Sequence, residues 1–231
     1  MPRRKPKKSQ NLLRNNRGNA ALRGTFDAVF RDGLFDLMRW RRDVRRFRTD
    51  PVEAAVLNRC LDAFALAPSV GLSEPWRLID VSSPTARAAA LENFTTANAA
   101  ALGGYDGDKA ALYAGLKLSG MREAPVQLAV FCDRTTGKGA GLGRTTMPEM
   151  LDYSVVGAIT LFWLALRAEG LGLGWVSILD PARLSRDLGV PDNWALIGYL
   201  CIGWPETPSE QPELERAGWE TKAPALQMER R

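Results

Sequence analysis

The feature that most constrains the fold is an apolar segment at residues 153–166, which contains no charged side chain. Thr146-x-x-Glu149 before it has the pattern of a capping box, and Gly170 after it favours a helix end near Glu169. The segment is shorter than the roughly 20 residues that cross a bilayer, so we predict a core helix and no membrane span. Because the helix is apolar on every side, it needs cover from a sheet and from a second subunit. We therefore predict a homodimer.

The other apolar patterns predict further helices and strands around this core helix. A region at 84–123 is mostly helical, but residues 103–108 interrupt it with three glycines. This break indicates either a mobile lid or an ordinary interhelical loop. Helical periodicity predicts helices at 26–40, 52–67 and 181–188, and apolar runs predict strands at 77–81, 126–132 and 196–203.

Glycines also mark the segment at 170–179, where Gly170, Gly172 and Gly174 alternate with larger residues. Their spacing is superficially that of a dinucleotide-binding loop. That loop follows a strand and opens a helix, whereas here a helix ends and a strand begins. The glycines are instead expected to let a flat ligand lie against the backbone.

Four arginines are concentrated in the sequence Arg41-Arg42-Asp43-Val44-Arg45-Arg46-Phe47. A guanidinium group donates two parallel hydrogen bonds and keeps its charge, which suits a phosphate. The cluster is therefore a candidate anion site at the end of the first helix. A solvated charge run at a helix end is the alternative interpretation.

The net charge of +5 belongs to one end of the chain. Residues 1–24 carry eight Lys and Arg and no acid, which leaves 23 basic against 26 acidic side chains in residues 25–231. We predict a basic disordered tail at 1–24, without a secretory signal, followed by one domain at 25–231. The acidic domain lacks a recognisable nucleic-acid motif, so no nucleic-acid partner is expected, although the tail leaves an anionic partner open.

Cysteine and histidine usage narrows the chemistry. The chain has three cysteines without a short pairing motif and no histidine. This excludes zinc and haem spacings, Ser-His-Asp and Cys-His arrangements, and a histidine general base. Cys132 and Cys201 lie in apolar runs and are expected to be buried, and the protein is expected to be cytoplasmic.

Several motifs in combination resemble the nitroreductase-like flavoprotein family over about residues 30–225. They are the arginine cluster at 41–45, Ala67-Pro68-Ser69 with Pro75-Trp76, Gly170-Leu171-Gly172-x-Gly174-Trp175, Leu116-Lys117-Leu118, Leu142-Gly143-Arg144-x-Thr146-Met147-Pro148-Glu149, Pro212-Glu213-Leu214-Glu215 before Gly218-Trp219, and a basic residue near the C-terminus, Lys222. The resemblance implies an α+β fold, with a mixed sheet flanked by helices and FMN bound at a homodimer interface.

Within the family, the pattern is closest to the branch that fragments reduced FMN with O2, giving dimethylbenzimidazole and erythrose 4-phosphate. Reduced FMN is then a substrate, O2 a co-substrate, and a separate flavin reductase a partner. The alternative is an NAD(P)H-dependent FMN nitroreductase or flavin reductase, which needs an open pocket for a second substrate.

The resemblance also implies roles for individual residues. Asp43 is a candidate general base at the ribityl chain, or an ion pair that orients Arg42 or Arg45. Ser177 is a candidate donor to the flavin ring, or a strand hydroxyl bonded to backbone. The residues expected to contact FMN are Arg41, Arg42, Asp43, Val44, Arg45, Pro68, Ser69, Gly172, Gly174, Ser177 and Lys222.

Two positions depart from the family pattern. Glu74 stands where glutamine usually precedes Pro-Trp, and an acid there is expected to weaken binding if it faces an anionic flavin. Lys222 stands where arginine usually follows Gly-Trp, which keeps the charge but loses the bidentate fork.

Overall fold

The computed structural model describes residues 24–231. The basic tail expected at 1–24 therefore lies, except for Gly24, outside the described residues. The chain divides into two compact units between Asp36 and Leu37. Helix α1 spans Ala28–Trp40, which confirms the first predicted helix.

Four antiparallel strands form one sheet in the order β1-β2-β4-β3. The long strands β2 and β4 occupy the centre because their apolar side chains are buried on both faces. Outside the strands, Asp43 forms an isolated parallel bridge with Leu173. The strands are β1 (Trp76–Asp80), β2 (Val126–Asp133), β3 (Gly172–Val176) and β4 (Trp194–Gly203).

Helices cover both faces of the sheet and confirm the expected α+β class. Ser83 caps α3 by accepting a hydrogen bond from the Ala86 N–H at 3.2 Å, and Pro84 occupies the first turn, where its missing N–H costs nothing. The helices after α1 are α2 (Ala54–Leu61), α3 (Pro84–Leu102), α4 (Gly107–Gly115), α5 (Met150–Ala168), α6 (Pro181–Asp187) and α7 (Glu213–Arg216).

Helix α5 is the predicted core helix. It is long and apolar enough to span a membrane by length and composition alone. Seven of its residues are nevertheless buried, and the six apolar ones form one hydrophobic core with the sheet and with Phe64. Tyr153 and Val156 remain 55% and 39% exposed. One chain therefore covers only part of this apolar helix.

Two details of the helix predictions were wrong. Thr146 does not cap α5, because its hydroxyl donates to the Gly143 carbonyl at 3.2 Å inside a tight glycine turn. The helix begins at Met150, and no side chain caps it. The helix expected at 52–67 ends as an α-helix at Leu61, after which Asp62–Leu66 continue as a 3-10 helix.

Candidate functional site

A cavity of about 360 Å3, here called the arginine cavity, lies beside β3 and the C-terminal end of α5. Five arginines and only two carboxylates line it, so its charge favours an anion. Its volume falls within the roughly 300–1,000 Å3 typical of small-molecule sites. The charged lining residues are Arg42, Asp43, Arg45, Arg46, Arg167, Glu213 and Arg216.

Backbone hydrogen bonds hold residues 41–48, here called the arginine segment, against the sheet edge. The Val44 N–H donates to the Leu173 carbonyl at 3.0 Å, and the Arg48 N–H donates to the Trp204 carbonyl at 2.9 Å. The Phe47 side chain is buried in a second hydrophobic core, which includes Phe131 of β2 and Tyr199 of β4. The segment is therefore fixed by the fold before any ligand binds.

Gly172 and Gly174 make this close approach feasible. A Cβ atom at Gly174 would lie 2.1 Å from the Val44 carbonyl oxygen, and one at Gly172 would lie 2.7 Å from Val44 Cγ2. No side chain fits at either distance, so glycine is required for the arginine segment to pack here. These contacts give the two glycines a packing role, and the expectation that a flat ligand lies against their backbone stays a prediction.

The carboxylate of Asp43 has a donor on each oxygen. Oδ1 accepts from the Trp175 N–H at 2.9 Å, and Oδ2 accepts from Arg45 Nε at 2.8 Å. Arg45 Nη1 also donates to the Lys117 carbonyl at 3.2 Å. These bonds join the arginine segment, β3 and the loop after α4, and they confirm that Asp43 forms an ion pair with Arg45.

The other two arginines expected to bind phosphate also have partners within the protein. The Arg41 guanidinium lies 4.6 Å from the Trp163 ring centre, and burial, followed by the charge of Arg42, lowers the pKa of Arg41. Arg42 donates through Nε and Nη2 to the Arg39 carbonyl at 2.8 and 2.6 Å. Arg42 thus satisfies carbonyl groups at the end of α1 while lining the cavity.

Pro68 and Ser69 do not line the arginine cavity. They precede a short 3-10 helix at Val70–Leu72, whose Val70 N–H donates to Ser154 Oγ on α5 at 3.0 Å. Ser69 Oγ accepts from the Glu74 N–H at 3.1 Å. Their expected contact with FMN stays a prediction.

Ser177 and Lys222 also lie outside the arginine cavity. Ser177 is exposed just after β3, two residues beyond Trp175, which places it roughly 7 Å further along the chain. Lys222 is exposed, and its N–H faces Glu215 Oε1 at 3.5 Å. Their expected flavin contacts remain predictions.

Arg167 and Arg216 were missed as site residues. Arg167 ends the apolar helix α5, and Arg216 ends the short helix α7, so neither belongs to a local charge cluster. Arg46 belongs to the arginine cluster in the sequence but was not predicted to contact FMN. It forms an ion pair with Glu213 at 3.5 Å. Only the tertiary fold brings these three side chains together.

The acid at position 74 pairs with a base on a neighbouring loop. Glu74 forms an ion pair with Lys138, so its charge is compensated within the chain. The two loops also meet at Gly71 and Gly139, both with positive φ. A Cβ at Gly139 would lie 2.6 Å from the Gly71 carbonyl oxygen, so the loops are in direct backbone contact.

The break at residues 103–106 joins α3 to α4 and packs on the C-terminal segment. The Tyr105 ring stacks on Tyr113 at 4.9 Å and meets the Trp219 ring edge-on at 5.5 Å. Lys109 Nζ lies 3.8 Å from the Trp219 ring centre. These contacts tie α4 to Trp219, three residues before Lys222.

The cysteines do not provide a nucleophile. All three are buried, and burial raises the pKa of Cys132 and Cys201 to about 12, so both remain neutral thiols near neutral pH. Residues 24–231 contain no cluster of side chains suited to a metal ion.

Comparison with known proteins identifies close relatives. The Nitroreductase family model matches residues 38–204. The chain is 53% identical to the 5,6-dimethylbenzimidazole synthase of Rhodospirillum rubrum over 199 residues, which cover 86% of this chain and 94% of the relative. It is 50% identical to the synthase of the same name in Rhodobacter capsulatus, over 86% of this chain and 96% of the relative.

More distant relatives share the fold. A Thermus thermophilus protein named NADH dehydrogenase is 31% identical over 76% of this chain and 90% of its own length. Iodotyrosine deiodinase, solved with FMN and 3-iodo-L-tyrosine, superposes with a TM-score of 0.66 at 22% identity. That match covers 86% of this chain and 97% of the deiodinase chain.

Proposed function

The chain belongs to the nitroreductase family, and we propose that it fragments reduced FMN with O2 to 5,6-dimethylbenzimidazole and erythrose 4-phosphate. The product is the lower ligand needed for cobalamin biosynthesis. The observation that carries this proposal is the 53% identity to a synthase of that name over 94% of its length. We further propose a cytoplasmic enzyme that receives its reduced flavin from a separate reductase.

The residues of the arginine cavity suit a phosphorylated flavin. Its five arginines exceed its two carboxylates, which favours a phosphate group. Arg42 lines the cavity from the end of α1, whereas Arg41 and Lys222 do not line it and are proposed to reach the phosphate only when FMN is bound. When bound, reduced FMN supplies the electrons for O2 and the carbon skeleton of both products.

Asp43 is the candidate general base for the ribityl chain. Each carboxylate oxygen has two lone pairs, and the bonds from Trp175 and Arg45 use only one on each oxygen. One lone pair per oxygen therefore remains for a substrate hydroxyl. Orientation of Arg45 and proton removal are thus compatible roles for the same side chain.

Ser177 is the candidate donor to the flavin ring. Its hydroxyl is exposed, and among the described residues it has no hydrogen-bond partner. A strand hydroxyl committed to backbone would show such a bond. The exposed hydroxyl supports donation to a ligand lying beyond the end of β3.

A homodimer would complete the site. Large apolar side chains are exposed around the 67–74 loop, the 137–147 loop and α5, and a second copy would bury them. The same pairing would bring Pro68 and Ser69 of the partner subunit to the flavin. The exposed side chains are Leu66, Leu72, Leu142, Met147, Tyr153 and Val156.

The decisive experiment supplies purified protein with FMN, a chemical reductant and air, and measures dimethylbenzimidazole by chromatography. We expect one equivalent of product for each flavin consumed, and none without O2. Flavin that is only reoxidised, with no dimethylbenzimidazole, would reject the proposal.

The relative named NADH dehydrogenase favours the alternative of a flavin-dependent reductase. The two functions differ in the fate of the flavin. A reductase oxidises NAD(P)H over many turnovers and leaves FMN intact, whereas the proposed enzyme consumes it.

A further inference from the structure

We propose that Arg45 is a positioning residue that sets the orientation of the Asp43 carboxylate, and that it is not a ligand of the FMN phosphate. This inference rests on the proposed function, in which Asp43 acts on the ribityl chain. It departs from the expectation that Arg41, Arg42 and Arg45 bind the phosphate together.

Two of the five N–H donors of Arg45, one on Nε and one on Nη1, are used within the protein. Nε donates to Asp43 Oδ2 at 2.8 Å, and Nη1 donates to the Lys117 carbonyl at 3.2 Å. Only 13% of the Arg45 side chain is exposed. A bidentate bond to phosphate through Nε and Nη2 would compete with the bond to Asp43, and burial limits access to the rest of the guanidinium, whereas Arg46 on the same cavity wall is 56% exposed.

The anchor of Arg45 is itself held in place. Its carbonyl acceptor belongs to Lys117, whose ammonium group pairs with Glu123 Oε1 at 2.6 Å. The opposite oxygen of Asp43 is fixed by the Trp175 N–H of β3. The carboxylate is thus oriented from two sides, by a strand and by a loop, which directs its remaining lone pairs.

A second arginine pair provides a matched control. Arg48 and Asp50 have the same two-residue separation and the same Nε to Oδ2 bond, at 2.6 Å. Both side chains are more than half exposed, and neither lines the arginine cavity. Arg48→Gln therefore removes a similar local pair without affecting the site.

The experiment compares Arg45→Gln, Arg45→Lys and Arg48→Gln. Affinities for oxidised FMN and riboflavin are measured by fluorescence quenching, and product formation is measured with saturating reduced FMN. For Arg45→Gln we expect kcat to fall by about tenfold or more while the FMN-to-riboflavin affinity ratio changes by less than about threefold. Arg45→Lys should recover part of kcat, and Arg48→Gln should match wild type.

A double-mutant cycle with Asp43→Asn tests the route of the effect. If Arg45 acts through Asp43, Arg45→Gln should cost little further activity in the Asp43→Asn background. Equal losses in both backgrounds would overturn the inference. A drop of about tenfold in the affinity ratio would do the same, because it would identify a phosphate ligand.

Two further results distinguish a failure of this inference from misfolding of a variant and from a failure of the proposed function. If Arg45→Gln does not fold, Arg45→Lys decides, because an ammonium group lacks the planar fork whose separate nitrogens bond Asp43 and the Lys117 carbonyl, so kcat should still fall below wild type. If wild type makes no dimethylbenzimidazole, the proposed function fails, yet the flavin affinity ratio still tests Arg45 as a phosphate ligand.

Discussion

The arginine segment and the 67–74 loop carry the two halves of the expected FMN site, but they differ in how their contacts are completed. Within one chain, the arginine segment is hydrogen-bonded to β3, to Trp204 just after β4, and to the Lys117 carbonyl in the loop after α4. The 67–74 loop leaves Leu72 exposed at 72% and holds Pro68 and Ser69 away from the cavity. One half is preorganised by the fold, whereas we propose that a second subunit completes the other.

The largest loss of product is expected from substitutions that remove the candidate catalytic groups, beginning with Asp43 in the preorganised arginine segment. Asp43→Asn keeps the shape of the side chain but removes the base, so product should fall by about 100-fold or more with reduced FMN saturating. FMN affinity should change little, because Asp43 is not a principal phosphate ligand. Ser177→Gly should also bind FMN and make little product.

Quenching titrations and product chromatography would measure these two quantities separately. Asp50→Asn is the matched control, since Asp50 forms an exposed arginine pair. A parallel loss of affinity and product in either site variant would show that the residue is structural.

The second half can be tested by placing a charge on the exposed face of α5. Tyr153→Glu should prevent burial of this face between subunits, so light scattering should show a monomer at micromolar concentration. Product should then fall by about tenfold or more, because the site is incomplete. A glutamate at the exposed Ala100 of α3 serves as the control, and a Tyr153→Glu dimer with full activity would contradict the pairing.

The packing of the arginine segment can be loosened without changing a charge. Gly174→Ala places a Cβ 2.1 Å from the Val44 carbonyl oxygen, so the segment must shift. We expect unfolding free energy to drop by about 1–3 kcal/mol, together with weaker FMN binding. Gly115→Ala has open space around its Cβ and should leave both unchanged in denaturant titrations.

The smallest effect is expected when the affinities of the wild-type protein for FMN and for riboflavin are compared. Riboflavin lacks the phosphate, and one charge-assisted bond contributes roughly 1.5–3 kcal/mol, so FMN should bind at least about tenfold more tightly. Fluorescence quenching measures both affinities. Equal binding of the two flavins would reject the arginine cavity as a phosphate site.

Sequence patterns predicted the parts of this comparison that are local. Periodicity located α5 and the strands, and adjacent arginines identified the segment as a candidate anion site. The partners of those arginines were not predictable, because Arg167, Arg216 and the Lys117 carbonyl reach the site only through the tertiary fold. The packing role of Gly172 and Gly174 was not predicted for the same reason, since a glycine pattern does not show which atoms occupy the missing Cβ position.

The contact between Gly71 and Gly139 bears on how this protein can change over generations. Each loop occupies the space that a side chain on the other would need, so a single substitution at either position meets backbone. Variation in one loop is therefore constrained by the other, although they are far apart in the chain. The 67–74 loop and the 137–147 loop should be inherited as one module, and recombination between relatives should succeed only when both are exchanged together.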